Sequence, residues 1–269
     1  MLNLTRSLFV SLALALAVTS TPAYAQSMPA ATAASADRMA TIAAAGVLRV
    51  GLTGDYVPYS LLNATGQYEG LDVEMAQALA TALGVRLQIV KTSWPAMTAD
   101  LLADKFDLAM GGVSDSPERA KNGLLSHVYL LDGKVALVRA SDRAKYKAIA
   151  DLDKPEVRVA VNPGGTNQKF VDASLTHATV KVVDQNLKIP DLVASGDADV
   201  MVTDGVEAAL AVKRDSRLAV ADPEHPFTTV KKVYYLHAGD AAFEAFVDRF
   251  LDRALADGTF AKLRAKWIG

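Results

Sequence analysis

The sequence predicts an α/β protein of two lobes, each a mostly parallel sheet flanked by helices, with two hinge crossings joining them. Three observations carry this. From Ile42 onward, short apolar strand-like runs alternate with amphipathic helical stretches, the pattern of helices covering a largely parallel sheet. The rhythm breaks near residues 139–142 and then starts again, so a second sheet begins there. A return near residues 230–234 gives the second crossing, which assigns 42–139 and 233–269 to one lobe and 140–232 to the other.

Along the first lobe, Val47–Leu52 (VLRVGL) reads as a strand. Val73, Met75, Ala76, Leu79, Ala80 and Leu83 fall at helical spacing before Gly84, a C-terminal stop, which predicts a helix over Val73–Leu83. Val85–Val90 is the next strand, Met97–Leu102 a short helix and Phe106–Gly111 a buried strand, and Lys134–Arg139 leads away. In the second lobe the spacing predicts a helix near Ile149, then strand Val157–Asn162, helix Gln168–Leu175, strand Val180–Val183, helix Leu187–Ser195 and strand Ala198–Thr203. Val233–His237 is a last strand. Ala241–Trp267 is a helical tail, divided at Gly258, with Phe243, Phe246, Val247, Phe250, Leu251 and Leu255 in one apolar stripe.

The N-terminus reads as an export signal. Arg6 gives a positive start, Leu8–Val18 an apolar core and Ala23-Tyr24-Ala25 a small-x-small cleavage site, so residues 1–25 form a signal peptide and the mature chain begins near Gln26. The apolar run is well short of the roughly 20 residues needed to cross a bilayer. Residues 26–41, rich in Ala, Ser and Thr at their start, read as a flexible leader. There is no cysteine, which removes disulfides and a lipid-bearing anchor, so the expected location is free in the periplasm. A formal charge of -2 without a basic run makes nucleic acid and anionic membrane poor partners. His127, His177, His225 and His237 stand at no metal-ligand spacing and read as surface or loop histidines; no metal and no cofactor is expected.

Candidate site residues sit where strands end, the place where open α/β sheets bind ligands. After the first strand, Thr53-Gly54-Asp55-Tyr56-Val57-Pro58-Tyr59-Ser60 combines turn residues with two aromatics; Tyr56 and Tyr59 are either a cleft wall or packing. Trp94, in TSWP, is likewise an aromatic wall or a core residue behind it. Gly111-Gly112-Val113-Ser114-Asp115-Ser116-Pro117-Glu118-Arg119 follows a buried strand: the glycines let backbone amides approach a ligand, Ser114 and Ser116 offer hydroxyls, and Arg119 can fork onto a carboxylate or stay solvated. Asn162-Pro163-Gly164-Gly165-Thr166-Asn167-Gln168 is a Gly-rich turn opening a helix, suited to an anion but without the order of a nucleotide loop. Asp204 ends a strand, where it either meets an ammonium or caps the next helix.

Taken in order, GDYVPYS, EGLDVEMAQALA, DKFDLAMGGVSDSPERAK, VNPGGTNQKF and GDADVMVTD resemble solute-binding protein family 3 of amino-acid transport systems, from Val47 to the C-terminus. The resemblance implies a periplasmic binding protein-like fold, a small carboxylate-bearing ligand held in the cleft and an ABC-type membrane permease as partner, the chain itself being a monomer. It further implies that Arg119 grips the carboxylate, that Gly112, Ser114 or Ser116 and Thr166 add donors, and that Asp204 meets an amino group. Within the family, TGDYVPYS, TSWPAM, YLLDGK and VNPGGTNQKF are most similar to periplasmic cyclohexadienyl dehydratases, which convert prephenate or arogenate by expelling carbon dioxide and a ring hydroxyl as water.

That reaction needs an acid to protonate the departing oxygen, a contribution typically worth about 10²- to 10⁴-fold. The resemblance implies a glutamate directly after the Thr-Asn of the Gly-rich turn, and Gln168 stands there instead. An amide can hydrogen-bond a hydroxyl but cannot deliver a proton. The expectation is therefore capture rather than catalysis, the alternative being a dehydratase whose acid has moved to Asp55, Asp204 or Glu207, since burial can raise a carboxyl pKa far enough to donate.

Overall fold

The computed structural model describes residues 37–269. The expected signal peptide and the leader as far as residue 36 lie outside them. Arg38–Thr41, expected to end the leader, instead form the first half of a helix, Arg38–Ala45, capped by the Asp37 side chain and closed by Gly46 in the left-handed region. Arg38 ties that helix down through ion pairs to Asp104, Asp107 and Asp240.

Two five-stranded sheets form, as the alternation predicts. The first runs in the order Arg86–Lys91, Val47–Leu52, Leu108–Ala109, Tyr235–His237, Gly123–Leu125, and the second Thr179–Val182, Arg158–Val161, Val200–Asp204, Lys134–Arg139, Leu218–Val220. In the first, only Tyr235–His237 runs against its neighbours. In the second, only Lys134–Arg139 does. Each reversed strand is the one that has just crossed from the other sheet. The crossings themselves pair, Leu130–Asp132 antiparallel to Val230–Lys232, as a two-stranded ribbon.

This pairing moves one expected boundary. Lys134–Arg139, placed with the first lobe by the break at 139–142, belongs to the second sheet, where Val200–Asp204 pairs with it over five residues. Its apolar residues face both ways, Val135 and Leu137 into one core and Ala136 and Val138 into another. A strand buried on both faces reads as a continuous apolar run, so the sequence of Lys134–Arg139 alone does not say which sheet owns it.

Other elements shift less. The helix expected over Gln168–Leu175 starts earlier, at Thr166. The expected strand Phe106–Gly111 pairs only over Leu108–Ala109, because Gly111 and Gly112 adopt φ of 95° and 75° and turn their amides away from the sheet. Helix Gly205–Arg214, which the sequence reading did not draw, follows Asp204 directly. In the tail, Gly258 (φ 85°) separates Ala241–Ala256 from Thr259–Trp267; Phe243, Val247 and Leu251 are buried, whereas Leu255 is exposed.

Candidate functional site

A narrow cavity of about 20 Å³, room for about one water molecule, lies where strand ends of the two sheets meet. Tyr56, Trp94, Gly112 and Ser114 line it from one side; Asn162, Gly165, Thr166, Asn167, Asn186 and Asp204 line it from the other.

The first side rests on Asp72, fully buried in the first turn of helix Leu71–Ala82. Its Oδ2 accepts the amides of Gly111 at 3.0 Å and Gly112 at 2.6 Å and the Tyr129 hydroxyl at 2.8 Å. Burial raises its pKa to about 6. The turn it holds must be glycine at 112, since a Cβ there would come within 2.6 Å of the Tyr56 and Tyr59 rings. Tyr59 stacks behind Tyr56 with ring centroids 5.1 Å apart, so it supports the wall and does not line it. Trp94 stands edge-on to Tyr56 and donates Nε1–H to Asp55 Oδ1 at 3.1 Å, which places Asp55 behind the wall too. Burial raises the Asp55 pKa.

Ser116 is used as a cap: it accepts from the Arg119 amide at 3.2 Å at the start of helix Pro117–Asn122. Arg119 is 7% exposed, donates Nη1–H to the Ser114 carbonyl at 2.5 Å, and has no carboxylate within ion-pair distance among the described residues. Burial lowers it to about 10, so it remains charged at neutral pH. A buried guanidinium without an acid partner is a standing demand for an anion. Neither it nor Ser116 is among the cavity-lining residues; Arg119 lies just behind Ser114.

On the second side, Gly164 approaches Pro95 so closely that a Cβ would lie 2.6 Å from its backbone. Thr166 and Asn167 are at the start of their helix, and Asn167 Nδ2 donates to Asn162 Oδ1 at 3.2 Å and Thr203 Oγ1 at 3.3 Å. Gln168 does not face the cavity. Its Oε1 turns back to accept the Gly164 amide at 2.6 Å, one residue before the helix N-cap Gly165.

Asp204 does line the cavity, but its oxygens are already engaged. Oδ1 accepts from Lys134 Nζ at 2.7 Å; Oδ2 accepts from Lys232 Nζ at 2.6 Å and from the Tyr56 hydroxyl. Burial alone would raise its pKa, yet the two ammonium groups hold it well below the usual carboxylate range. Three residues on, Glu207 is 7% exposed, its Oε1 accepting from Asn186 Nδ2 at 2.8 Å and its Oε2 from the Thr203 hydroxyl. Burial, and then the negative charge of Asp204, raise Glu207 to about 8 against those two hydrogen bonds. The two neighbouring carboxyls are thus driven apart, Asp204 downward and Glu207 upward, the arrangement by which sites assign charge and acid roles.

Lys134, Lys232, Asn186 and Asp72 were not among the candidates drawn from the sequence, and Asn162 was drawn only as the start of the Gly-rich turn. A signal existed for the lysines, each directly before an apolar run (KVALVR, KVYYL), where a buried lysine is rare unless paired. Among the described residues no cluster of His, Cys, Asp or Glu could hold a metal ion. His127, His177 and His225 are surface residues beside aspartates, whereas His237 is part of a strand, with Nε2 2.9 Å from the Phe106 carbonyl.

Residues 48–269 match the bacterial extracellular solute-binding proteins, family 3. The chain belongs to that family. It is 40% identical over 231 residues to the cyclohexadienyl dehydratase of Pseudomonas aeruginosa, covering 86% of each chain. An ancestral amino acid-binding protein described as a precursor of cyclohexadienyl dehydratase superposes with a TM-score of 0.81 at 35% identity, over 86% of this chain and 99% of that one. An ancestral cyclohexadienyl dehydratase is 46% identical over 87% of this chain and 97% of its own, with a TM-score of 0.55. These structures bear out the two-lobed binding-protein fold.

Proposed function

We propose that this family 3 protein is a periplasmic dehydratase of the cyclohexadienyl type, acting on a prephenate-like dicarboxylate, with Glu207 as its proton donor. In that reaction the ring carboxylate leaves as carbon dioxide, its bonding electrons form the aromatic ring, and the ring hydroxyl departs as water after taking one proton. The observation that carries the reading is the buried Glu207 carboxyl bonded to the cavity-lining Asn186, where burial raises its pKa to about 8. Gln168, which cannot supply the proton, has its Oε1 on the Gly164 amide, so the acid of this reading must be another residue. Of the three candidate replacement acids, Asp204 is held ionised by two lysines and Asp55 lies behind Trp94; Glu207 does not line the cavity either, and is linked to it through the lining residue Asn186, which donates to its Oε1. The likeness to dehydratases supports the same reading.

A carboxylate of the substrate would find the Arg119 guanidinium, the Ser114 and Thr166 hydroxyls and the Gly165–Asn167 helix start around it. Trp94 and Tyr56 would flank the ring. The second reading, capture of a small carboxylate for a membrane permease, draws support from the likeness to an amino acid-binding precursor. The engaged state of Asp204 weighs against an amino acid as that cargo. The test is to incubate purified protein with prephenate at neutral pH and follow phenylpyruvate: release above the spontaneous rate supports the dehydratase, whereas binding without release supports capture.

A further inference from the structure

The two lysines on Asp204 come from the two crossings between the sheets. Lys134 opens the strand that follows Leu130–Asp132, and the antiparallel register sets it directly opposite Asp204. Lys232 ends the other ribbon strand and is held by a bridge to Ser114. Neither is free to swing away. Lys134 Nζ also donates to Thr166 Oγ1 at 2.9 Å and to Asn167 Oδ1; Lys232 Nζ donates to the Gly112 carbonyl and Ser114 Oγ, each at 3.1 Å. Both are buried, at 2% and 0% exposure.

Asp204 is the one carboxylate among the residues lining the cavity, hence the only lining counter-charge for a ligand ammonium. With two ammonium groups and the Tyr56 hydroxyl already on it, a third ammonium would meet two fixed like charges in a buried setting, where such repulsion is poorly screened. Arg119, which has no carboxylate within ion-pair distance among the described residues, adds a further positive charge behind Ser114. We infer that the Lys134–Asp204–Lys232 cluster makes the cleft select a dianionic oxo acid over the corresponding amino acid, prephenate over arogenate. The inference rests on the dehydratase reading for the identity of the two ligands, and on the cluster alone for the direction of the preference.

The test is calorimetric titration of prephenate and of arogenate into Glu207→Gln, in which turnover is removed and the cluster is kept, and into Lys232→Met in the same background. The expected result is a Kd for prephenate at least tenfold below that for arogenate, narrowing to threefold or less in the Lys232→Met variant. Equal or tighter binding of arogenate overturns the inference while leaving the dehydratase reading intact; a ratio unchanged in folded Lys232→Met also overturns it. Prephenate-selective binding by a wild-type protein that produces no phenylpyruvate would sink the dehydratase reading and keep the inference. If neither compound binds, both fall. Should Lys232→Met fail to fold, the ratio in Glu207→Gln alone decides.

Discussion

Lys134 Nζ lies 2.7 Å from Asp204 Oδ1, the two residues facing each other as a register pair of adjacent antiparallel strands. With Lys232 on the other oxygen, that contact holds Asp204 as an ionised group, while burial and the Asp204 charge raise the Glu207 carboxyl to about 8. The predictions below follow from this division of roles and from the walls that hold it.

Gln168→Glu should leave dehydratase activity within about threefold of wild type, because a carboxylate at that position can accept the Gly164 amide just as the amide oxygen does. Gln168→Ala should lower stability by about 1 kcal/mol through loss of that hydrogen bond. Steady-state rates with prephenate and thermal melts check both. A large gain of activity in Gln168→Glu would mean that the side chain reaches the reacting atoms after all.

Asp72→Ala should cost about 3 kcal/mol or more, since two buried amides and the Tyr129 hydroxyl lose their shared acceptor at about 1–3 kcal/mol each. Denaturant unfolding measures it. A variant within about 0.5 kcal/mol of wild type would show that the Gly111–Gly112 turn does not depend on Asp72.

Arg119→Ala should lose most ligand affinity, about 2–5 kcal/mol, and Arg119→Lys should recover little of it, because a lysine cannot offer two parallel hydrogen bonds to a carboxylate. Titration calorimetry with prephenate reads the change. Unaltered affinity in Arg119→Ala would remove the guanidinium from the site.

Glu207 and Asp72 both have folded-state pKa values raised by burial, to about 8 and about 6. In the folded state each keeps a proton that the unfolded chain has released, so the unfolded state binds fewer protons and stability falls with rising pH. The loss runs from the ordinary carboxyl range, near 4.5 for a glutamate and 3.8 for an aspartate, up to about 8 for Glu207 and about 6 for Asp72. Asp204 and Asp199 are lowered and act oppositely, losing their contribution as pH falls toward the acid range. Glu207→Gln lacks its share of the alkaline loss, so its melting temperature relative to wild type should climb between pH 5 and 8. A difference that stays flat over that interval would contradict the raised pKa.

Much of the fold was legible in the residues. Val47–Leu52, Met97–Leu102 and Lys134–Arg139 form with the predicted bounds, because buried apolar runs and helical spacing are local signals. Ownership of Lys134–Arg139 was not legible, being decided by a partner strand more than sixty positions away. The site shows the same divide. Turns with the right residues were visible at strand ends, and Tyr56, Trp94, Gly112, Ser114, Gly165, Thr166, Asn167 and Asp204 do meet at one cavity. Which of their atoms remain free was not visible: the saturation of Asp204 depends on register and ribbon pairing, and the direction of Gln168 on a single rotamer. Motif position located the residues without assigning their hydrogen bonds.

The most direct test of the account is the pH profile of kcat/KM for prephenate in wild type and in Glu207→Gln. The account predicts that wild type turns prephenate over with a rate that declines above pH about 8 as Glu207 loses its proton, and that the variant falls by about 10²- to 10⁴-fold without that alkaline limb. A wild-type protein that binds prephenate without converting it, or a Glu207→Gln variant as active as wild type, would contradict it.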